Sequence, residues 1–179
     1  AGTVVDASGN IFVADFDNER IRKITPSGIV STFAGDGISG AVDGLGTAAR
    51  FDTPVDLALD NVGNIIVADR GNHLIRKITP SGVVSTIAGD ATSGSADGVG
   101  VAAQFFLPTG VALDGVGNIY VADSGNDRIR KITPGGVVTT HAGSGTKGAL
   151  DGSGSTAEFN PPTGVAADGD GNIYVADSD

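Results

Sequence analysis

The sequence predicts an all-β protein, a β-propeller of four-stranded antiparallel blades, and two observations carry that reading. The first is a repeat. A Gly-Asn pair recurs at Gly9, Gly63, Gly117 and Gly171, each 54 residues after the last, and Asp15, Asp69, Asp123 and Asp177 keep the same step. A constant period of this size marks a repeat architecture. The second is the content of one unit, which consists of short apolar runs between turn residues with nothing at helical spacing. Four strands in a unit of about 40 to 55 residues describe a propeller blade. An open solenoid, which also stacks repeats, is the competing arrangement.

The elements follow in order within a unit. "GVALD" (Gly110 to Asp114) places Val111 and Leu113 on one face, and a Gly-containing turn leads into "NIYVAD". "SGND" is the next turn, "RIRKIT" a third strand, Pro134-Gly135-Gly136 a turn and "VVTTHAG" a fourth strand. Pro134 cannot donate to a ladder and suits a strand end. The same reading puts the first blade's strands at 3–6, 11–15, 20–25 and 29–33, and two strands of a fourth blade within 164–177. The rest of each unit is a Gly-rich connection, such as Gly89 to Pro108, expected to run from the outer strand of one blade to the inner strand of the next. It carries a recurrent Asp-Gly and a recurrent Phe (Phe51, Phe105 and Phe159), of which Phe105 is expected to be buried. "NIYVA" and "VVSTIA" have no polar side, as expected of sheets sandwiched between neighbours. Residues 1–179 are thus one repeat region, with full units at 9–62, 63–116 and 117–170 and partial units at 1–8 and 171–179, about 3.3 repeats in all.

The word "GNIYVAD…N.RIRKITP.G.V", followed by "AG…ADG.G.AA.F..P.G", resembles the NHL repeat, in particular the long-unit bacterial variety found in secreted and cell-surface proteins. The resemblance covers essentially the whole chain. It implies a propeller, usually six-bladed, and says little about activity, since the repeat serves binding modules, lyases and lactonase-like relatives alike. Three and a half blades do not close a ring of six, and the chain opens in mid-pattern with "AGTVVDASGN". It is expected to be a window onto a six-bladed ring or a longer array, with further copies or further repeats as partners.

Composition narrows the function. Acidic residues exceed basic ones 21 to 11, for a net charge of −10. Such a chain repels phosphate backbones and anionic lipid, so neither nucleic acid nor a membrane surface is an expected partner. No apolar run approaches the roughly 18 residues of a membrane span. Cys is absent, which removes disulfides, thiolate metal sites and cysteine nucleophiles.

Several motifs invite chemistry, and each has a plainer reading. "GDGISG" (Gly35 to Gly40) and "GSGTKG" (Gly143 to Gly148) match G-x-G-x-x-G, but a dinucleotide site needs a following helix in a parallel fold. They read as flexible crossings, and no cofactor is expected. "DGDGN" (Asp168 to Asn172) has the look of a calcium loop, yet Asp168 and Asp170 offer too few ligands and the other copies lack the second carboxylate. It reads as a hairpin turn, and no metal site is expected. The Asp of each "VAD" and the Asn three residues on read as a turn pair, Asp accepting N–H bonds across the turn and Asn taking left-handed φ. His73 and His141 occupy different places in the unit and make neither a zinc centre nor a catalytic dyad. Arg22, Arg76 and Arg130, with Lys23, Lys77 and Lys131, read as a solvated edge or as inter-blade partners of Asp.

Individuality lies where the copies disagree: the turns "FDNE", "RGNH" and "SGND", and the connections "DGISGAV", "DATSGSA" and "SGTKGAL". In a propeller both emerge on one face, where recognition commonly sits. The leading expectation is a non-enzymatic binding or structural module, secreted or on the cell surface, that recognises a protein or glycan. The alternatives are a fragment of a lyase- or lactonase-type enzyme with its catalytic residues outside this window, and a repeat subunit of an extracellular fibre or stalk. Phe16, Arg70 and His73 are the candidate binding residues, Phe16 because an aromatic at an exposed turn implies a partner.

Overall fold

In the computed structural model, which describes residues 2–178, the chain forms four antiparallel sheets set side by side. The first sheet is β1 (Thr3–Val5), β2 (Ile11–Asp15), β3 (Arg20–Ile24) and β4 (Val30–Ala34), in that order. The two-residue β5 (Gly44–Leu45) then precedes β6 (Pro54–Leu59), β7 (Ile65–Asp69), β8 (Leu74–Ile78) and β9 (Val83–Ala88). The third set repeats this with β10 (Gly98–Val99), β11 (Pro108–Leu113), β12 (Ile119–Asp123), β13 (Arg128–Ile132) and β14 (Val137–Ala142). The last sheet is the pair β15 (Pro162–Ala167) and β16 (Ile173–Asp177). The strands lie within a residue or two of their expected positions, and each helical segment is a three-residue 3-10 turn. Among the described residues no helix is long and apolar enough to cross a membrane.

The first strands of successive blades are inner neighbours: β1 lies against β6, β6 against β11, and β11 against β15. Turn chemistry sets the hairpins. In the first turn of each blade the carboxylate of Asp6, Asp60, Asp114 or Asp168 accepts N–H bonds two and four residues on. A glycine at positive φ, such as Gly117 at 87°, completes that turn. Between third and fourth strands the Thr25, Thr79 and Thr133 hydroxyls accept the N–H four residues on, and a proline stops the strand.

One feature departs from expectation. The connection does not run directly to the next inner strand; it first pairs outside the next blade's fourth strand. Gly44 and Leu45 pair with Val84 and Val83, and Gly98 and Val99 with Val138 and Val137. The second and third blades are therefore five-stranded, and the clip covers backbone groups that an outer edge would leave unpaired. The clip consists of Gly-Leu or Gly-Val, too short to show a periodicity.

After the clip the chain turns inward and wedges Phe51 or Phe105, both fully buried, between two blades. The core lies between sheets. Phe12, Ile21, Phe51, Leu57, Val67 and Ile78 fill the first gap, and Ile66, Ile75, Phe105, Val111, Val121 and Ile132 the second. Burying such side chains contributes about 1.5–3 kcal/mol each, so the blades hold one another.

Candidate recognition face and the arginine network beneath it

The face that carries the variable turns is fixed from below by a repeated buried network. Asp69 ends β7 with no exposure; its Oδ1 accepts the Asp52 N–H at 2.8 Å, and its Oδ2 accepts Asn72 Nδ2 at 2.9 Å and Arg76 Nη1 at 2.7 Å. Arg76, also 0% exposed, donates further to the Arg50 carbonyl, the Val42 carbonyl and Asp43 Oδ1, and its guanidinium lies over the Phe51 ring. Arg130 repeats this with Asp123, the Gln104 and Ala96 carbonyls, Asp97 and Phe105. Arg76 and Arg130 are interior, each paired with an Asp of its own blade and one of the preceding unit's connection, whereas Arg22 is part-exposed and pairs with Asp15 of its own blade. The lysines beside them take the other face of the strand, Lys23 over Phe12 and Lys131 over Tyr120. Burial pushes the Asp69 carboxyl up, to about 6, against the pull of Asn72, the Asp52 amide and Arg76.

The same network brings the two variable segments together. Asn72 Nδ2 donates to the Gly40 carbonyl and Asn126 Nδ2 to the Gly94 carbonyl, tying each turn to the preceding unit's connection. The expected Asp–Asn contact is present, with two corrections. The Asp accepts its backbone bond from the connection, not across its own turn. The left-handed residue is the one after the Asn, namely Glu19, His73 and Asp127 at φ 55°, 59° and 53°. That residue leaves the turn toward the next blade. Glu19 Oε2 accepts the Thr53 N–H and His73 Nδ1 accepts the Leu107 N–H at 3.2 Å, each 34 residues ahead. The residue at that spacing from Asp127 is Pro161, which has no N–H. Asp127 Oδ1 is buried without a hydrogen-bond partner among the described residues, and burial pushes that carboxyl up.

The structure places Phe16 and Arg70 at equivalent positions of adjacent blades on this face. Phe16 is 38% exposed, and the Arg70 side chain makes no hydrogen bond among the described residues. The third equivalent, Ser124, is turned inward, with its hydroxyl donating to the Pro162 carbonyl. His73 is drawn into the joint between blades, its ring edge-on to Phe106 at 5.6 Å. Phe106, an exposed aromatic at that joint, went unnoticed in the sequence. Its signal was available: the other copies have Asp52 and Asn160 there.

Asp168 closes a hairpin turn, and the two Gly-rich loops are crossings between blades. Asp168 uses both oxygens on its own hairpin, accepting from the Asp170 and Asn172 amides, Asn172 Nδ2 and the Tyr174 hydroxyl, and these donors hold its carboxyl down, to about 2. The Gly35 to Gly40 and Gly143 to Gly148 loops lead to no α-helix; Arg20 and Arg128 back them, donating to the Asp36 and Ser144 carbonyls. His141 is exposed and edge-on to Tyr120. Among the described residues no group of three or more His, Asp or Glu is placed to hold a metal ion. On the opposite face the first hairpins of the second, third and last sheets surround an open cavity of about 350 Å³ lined by Asp60, Asp114 and Asp168.

The model of the NHL repeat matches residues 51–78 and 107–132. The chain is 36% identical over 91 residues, half its length, to protein SUPPRESSOR OF QUENCHING 1 of Arabidopsis thaliana, and 27% identical over 206 aligned residues, 98% of its length, to teneurin-3 of Mus musculus. NHL repeat-containing protein 2 of Bos taurus is 34% identical over 111 residues. The chain spans 9%, 7% and 15% of these relatives. Among solved structures, a protein of unknown function from Bacteroides thetaiotaomicron superposes with a TM-score of 0.83 at 26% identity, over 99% of this chain and 44% of that one. An auxiliary nutrient binding protein of the same species (TM-score 0.73, 19% identity, 96% of this chain and 43% of that one) and a streptogramin B lyase (0.68, 16%, 98% and 47%) share the fold. Residues 51–78 and 107–132 match the NHL repeat, and the chain has the β-propeller fold of these structures.

Proposed function

We propose that this propeller segment is a non-enzymatic recognition module working outside the cell, and that the face carrying the variable turns binds a protein or glycan. The observation that supports it most is the pinning of both variable segments to one surface through Asn72, Asn126 and the buried arginines. Chemically adaptable positions sit on a hydrogen-bonded scaffold, which lowers the ordering cost of binding. Phe16 and Phe106 offer aromatic surface there, and Arg70 a cation that makes no side-chain hydrogen bond among the described residues. The resemblance in fold to a nutrient binding protein points the same way. His73 serves this face as a positioning residue, because its Nδ1 is engaged by Leu107.

A printed array of defined oligosaccharides tests the reading. The chain is expected to bind a subset, and Phe16→Ser with Arg70→Ser to lose that binding while the thermal midpoint moves by less than about 2 °C, as for exposed positions. An identical binding pattern for the variant would remove these residues from the site.

A further inference from the structure

We propose that the cleft between the first and second sheets binds a small aryl carboxylate, its ring against Phe12 and Phe33 and its carboxylate on Lys23. The cleft opens on the side of the first hairpins, opposite the variable turns, and the proposal does not depend on the recognition face. Phe12, Lys23 and Phe33 stand on β2, β3 and β4, while Val62, Ile65 and Pro80 of the second blade close the far side. Both walls belong to sheets of four or five strands. The cavity measures about 360 Å³, toward the lower end of the range that small-molecule sites occupy.

The molecule supplies its own comparison. One repeat on, Ile66, Lys77 and Ile87 line a cleft of the same volume, with Val116, Ile119 and Pro134 where the first has Val62, Ile65 and Pro80. The groove and its lysine are therefore scaffold, and the wall is what distinguishes the first cleft. Positions 12 and 33 change together along the chain, to Ile66 with Ile87 and to Tyr120 with His141. In the first cleft the two rings meet edge to face, their centroids 4.9 Å apart, a geometry that a third ring extends. Phe12 is buried and Phe33 only partly so, which leaves Phe33 as the ring an occupant meets. Val62 stands at the rim 71% exposed, apolar surface that an occupant would cover.

Lys23 sets the sign of the ligand. It pairs in register with Phe12, and its Nζ lies 5.7 Å from that ring's centroid. Among the described residues the ammonium enters no ion pair. Asp6 is the acid that lines the cleft, and both of its oxygens are engaged: Oδ1 accepts the Ser8 and Asn10 amides, and Oδ2 accepts Asn10 Nδ2. The Asn10 side chain above all, with Lys23 a lesser influence, holds the Asp6 carboxyl below its ordinary value. A cationic ligand would meet a lysine and an acid already occupied by its own hairpin. A carboxylate meets a charged donor, and the bond between them is charge-assisted.

The test is an NMR titration of the 179-residue chain with 3-phenylpropanoate, followed at the backbone amides. Saturable shifts are expected at Lys23, Phe33, Val62 and Ile65, with smaller ones at Lys77, Ile87, Val116 and Ile119 in the aliphatic cleft. The uncharged 3-phenylpropanamide is expected to bind about fivefold more weakly, because it lacks the charge-assisted bond. Lys23→Gln should abolish that preference for the acid. Phe33→Ile gives the first cleft the side chain that the second already has, and should weaken the acid about threefold. A further arm uses N-acetylglycylphenylalanine: tighter binding than the free acid assigns the site to a peptide C-terminus, and equal or weaker binding to a free acid. No saturable shift in the first cleft, equal affinity for acid and amide, an acid preference that survives Lys23→Gln, or equal shifts in both clefts would overturn the proposal.

Discussion

Arg76 and Arg22 are the same residue of the repeat in two settings. Both stand in the third strand of a blade, and both reach back to the Asp that ends the second. Arg76 is fully buried and bonded to two carboxylates and two carbonyls, drawn from two units. Arg22 is 31% exposed and, among the described residues, bonded to Asp15 alone, at 3.2 Å. The blades are nearly identical there; the difference is the connection, Val42 to Arg50, that lies over Arg76. A blade thus carries half of its own ion-pair site and receives the other half from the unit before it. Burial of the arginine, and with it the worth of the pair, is a property of two adjacent units.

The largest expected effect breaks this comparison directly. Arg76→Ala leaves Asp69 buried without its cation and is expected to cost about 3–5 kcal/mol of unfolding free energy, whereas Arg22→Ala at the partly exposed pair costs about 0–1 kcal/mol. Urea denaturation at pH 7 reads both, and similar losses would contradict the account. Next in size is the wedge. Phe105→Ala empties a fully buried site and is expected to cost about 3–5 kcal/mol; Phe159→Ala, at the part-exposed equivalent, should cost less than half of that. A positional glycine comes third. Gly89 has φ 99°, and a Cβ there would stand 2.7 Å from the His73 carbonyl oxygen, so Gly89→Ala is expected to cost more than Gly28→Ala, which is left-handed but unobstructed.

The smallest effect concerns pH. Asp69 and Asp127 have folded-state values raised by burial, the former from 3.8 to about 6. A raised carboxyl holds its proton more tightly when folded, so its contribution to stability is greatest below the unfolded value and declines as pH climbs through the raised one. Asp168, lowered from 3.8 to about 2, acts oppositely and loses its contribution as pH falls toward 2. The thermal midpoint is therefore expected to be higher near pH 4.5 than near pH 7. Asp127→Asn should flatten part of that decline, since the carboxyl it replaces has a buried oxygen with no donor among the described residues. A midpoint that rises steadily from pH 4.5 to 7 would reverse the sign.

The sequence showed what lies within a unit and hid what lies between units. The strands, the Asp6-type and Pro134-type turns and the buried Phe51 and Phe105 were legible because the 54-residue period isolates them from noise. The clip strands were not, since Gly44–Leu45 has no pattern and its partner, Val83–Val84, belongs to the next unit. The role of His73 was hidden for the same reason: its acceptor nitrogen meets an amide 34 residues ahead. Arginine beside lysine in "RIRKIT" resembles a charged surface strand, and only the connection passing over it shows that Arg76 and Arg130 are interior. Of the candidate site, Phe16 and Arg70 were readable as exceptions among copies. Phe106 was an exception of the same kind, in a segment read only as a connection.

Residue-resolved hydrogen exchange under native conditions tests most directly the claim that each blade is completed by the connection of the unit before it. The account expects the slowest amides in β7, β8, β12 and β13, where the buried arginines sit, with exchange through global opening. It expects faster exchange in β3, which has the same sequence pattern but, among the described residues, no clip beyond β4, and the fastest in β16. Uniform protection across the four sheets, or protection in β3 equal to that in β8, would contradict it.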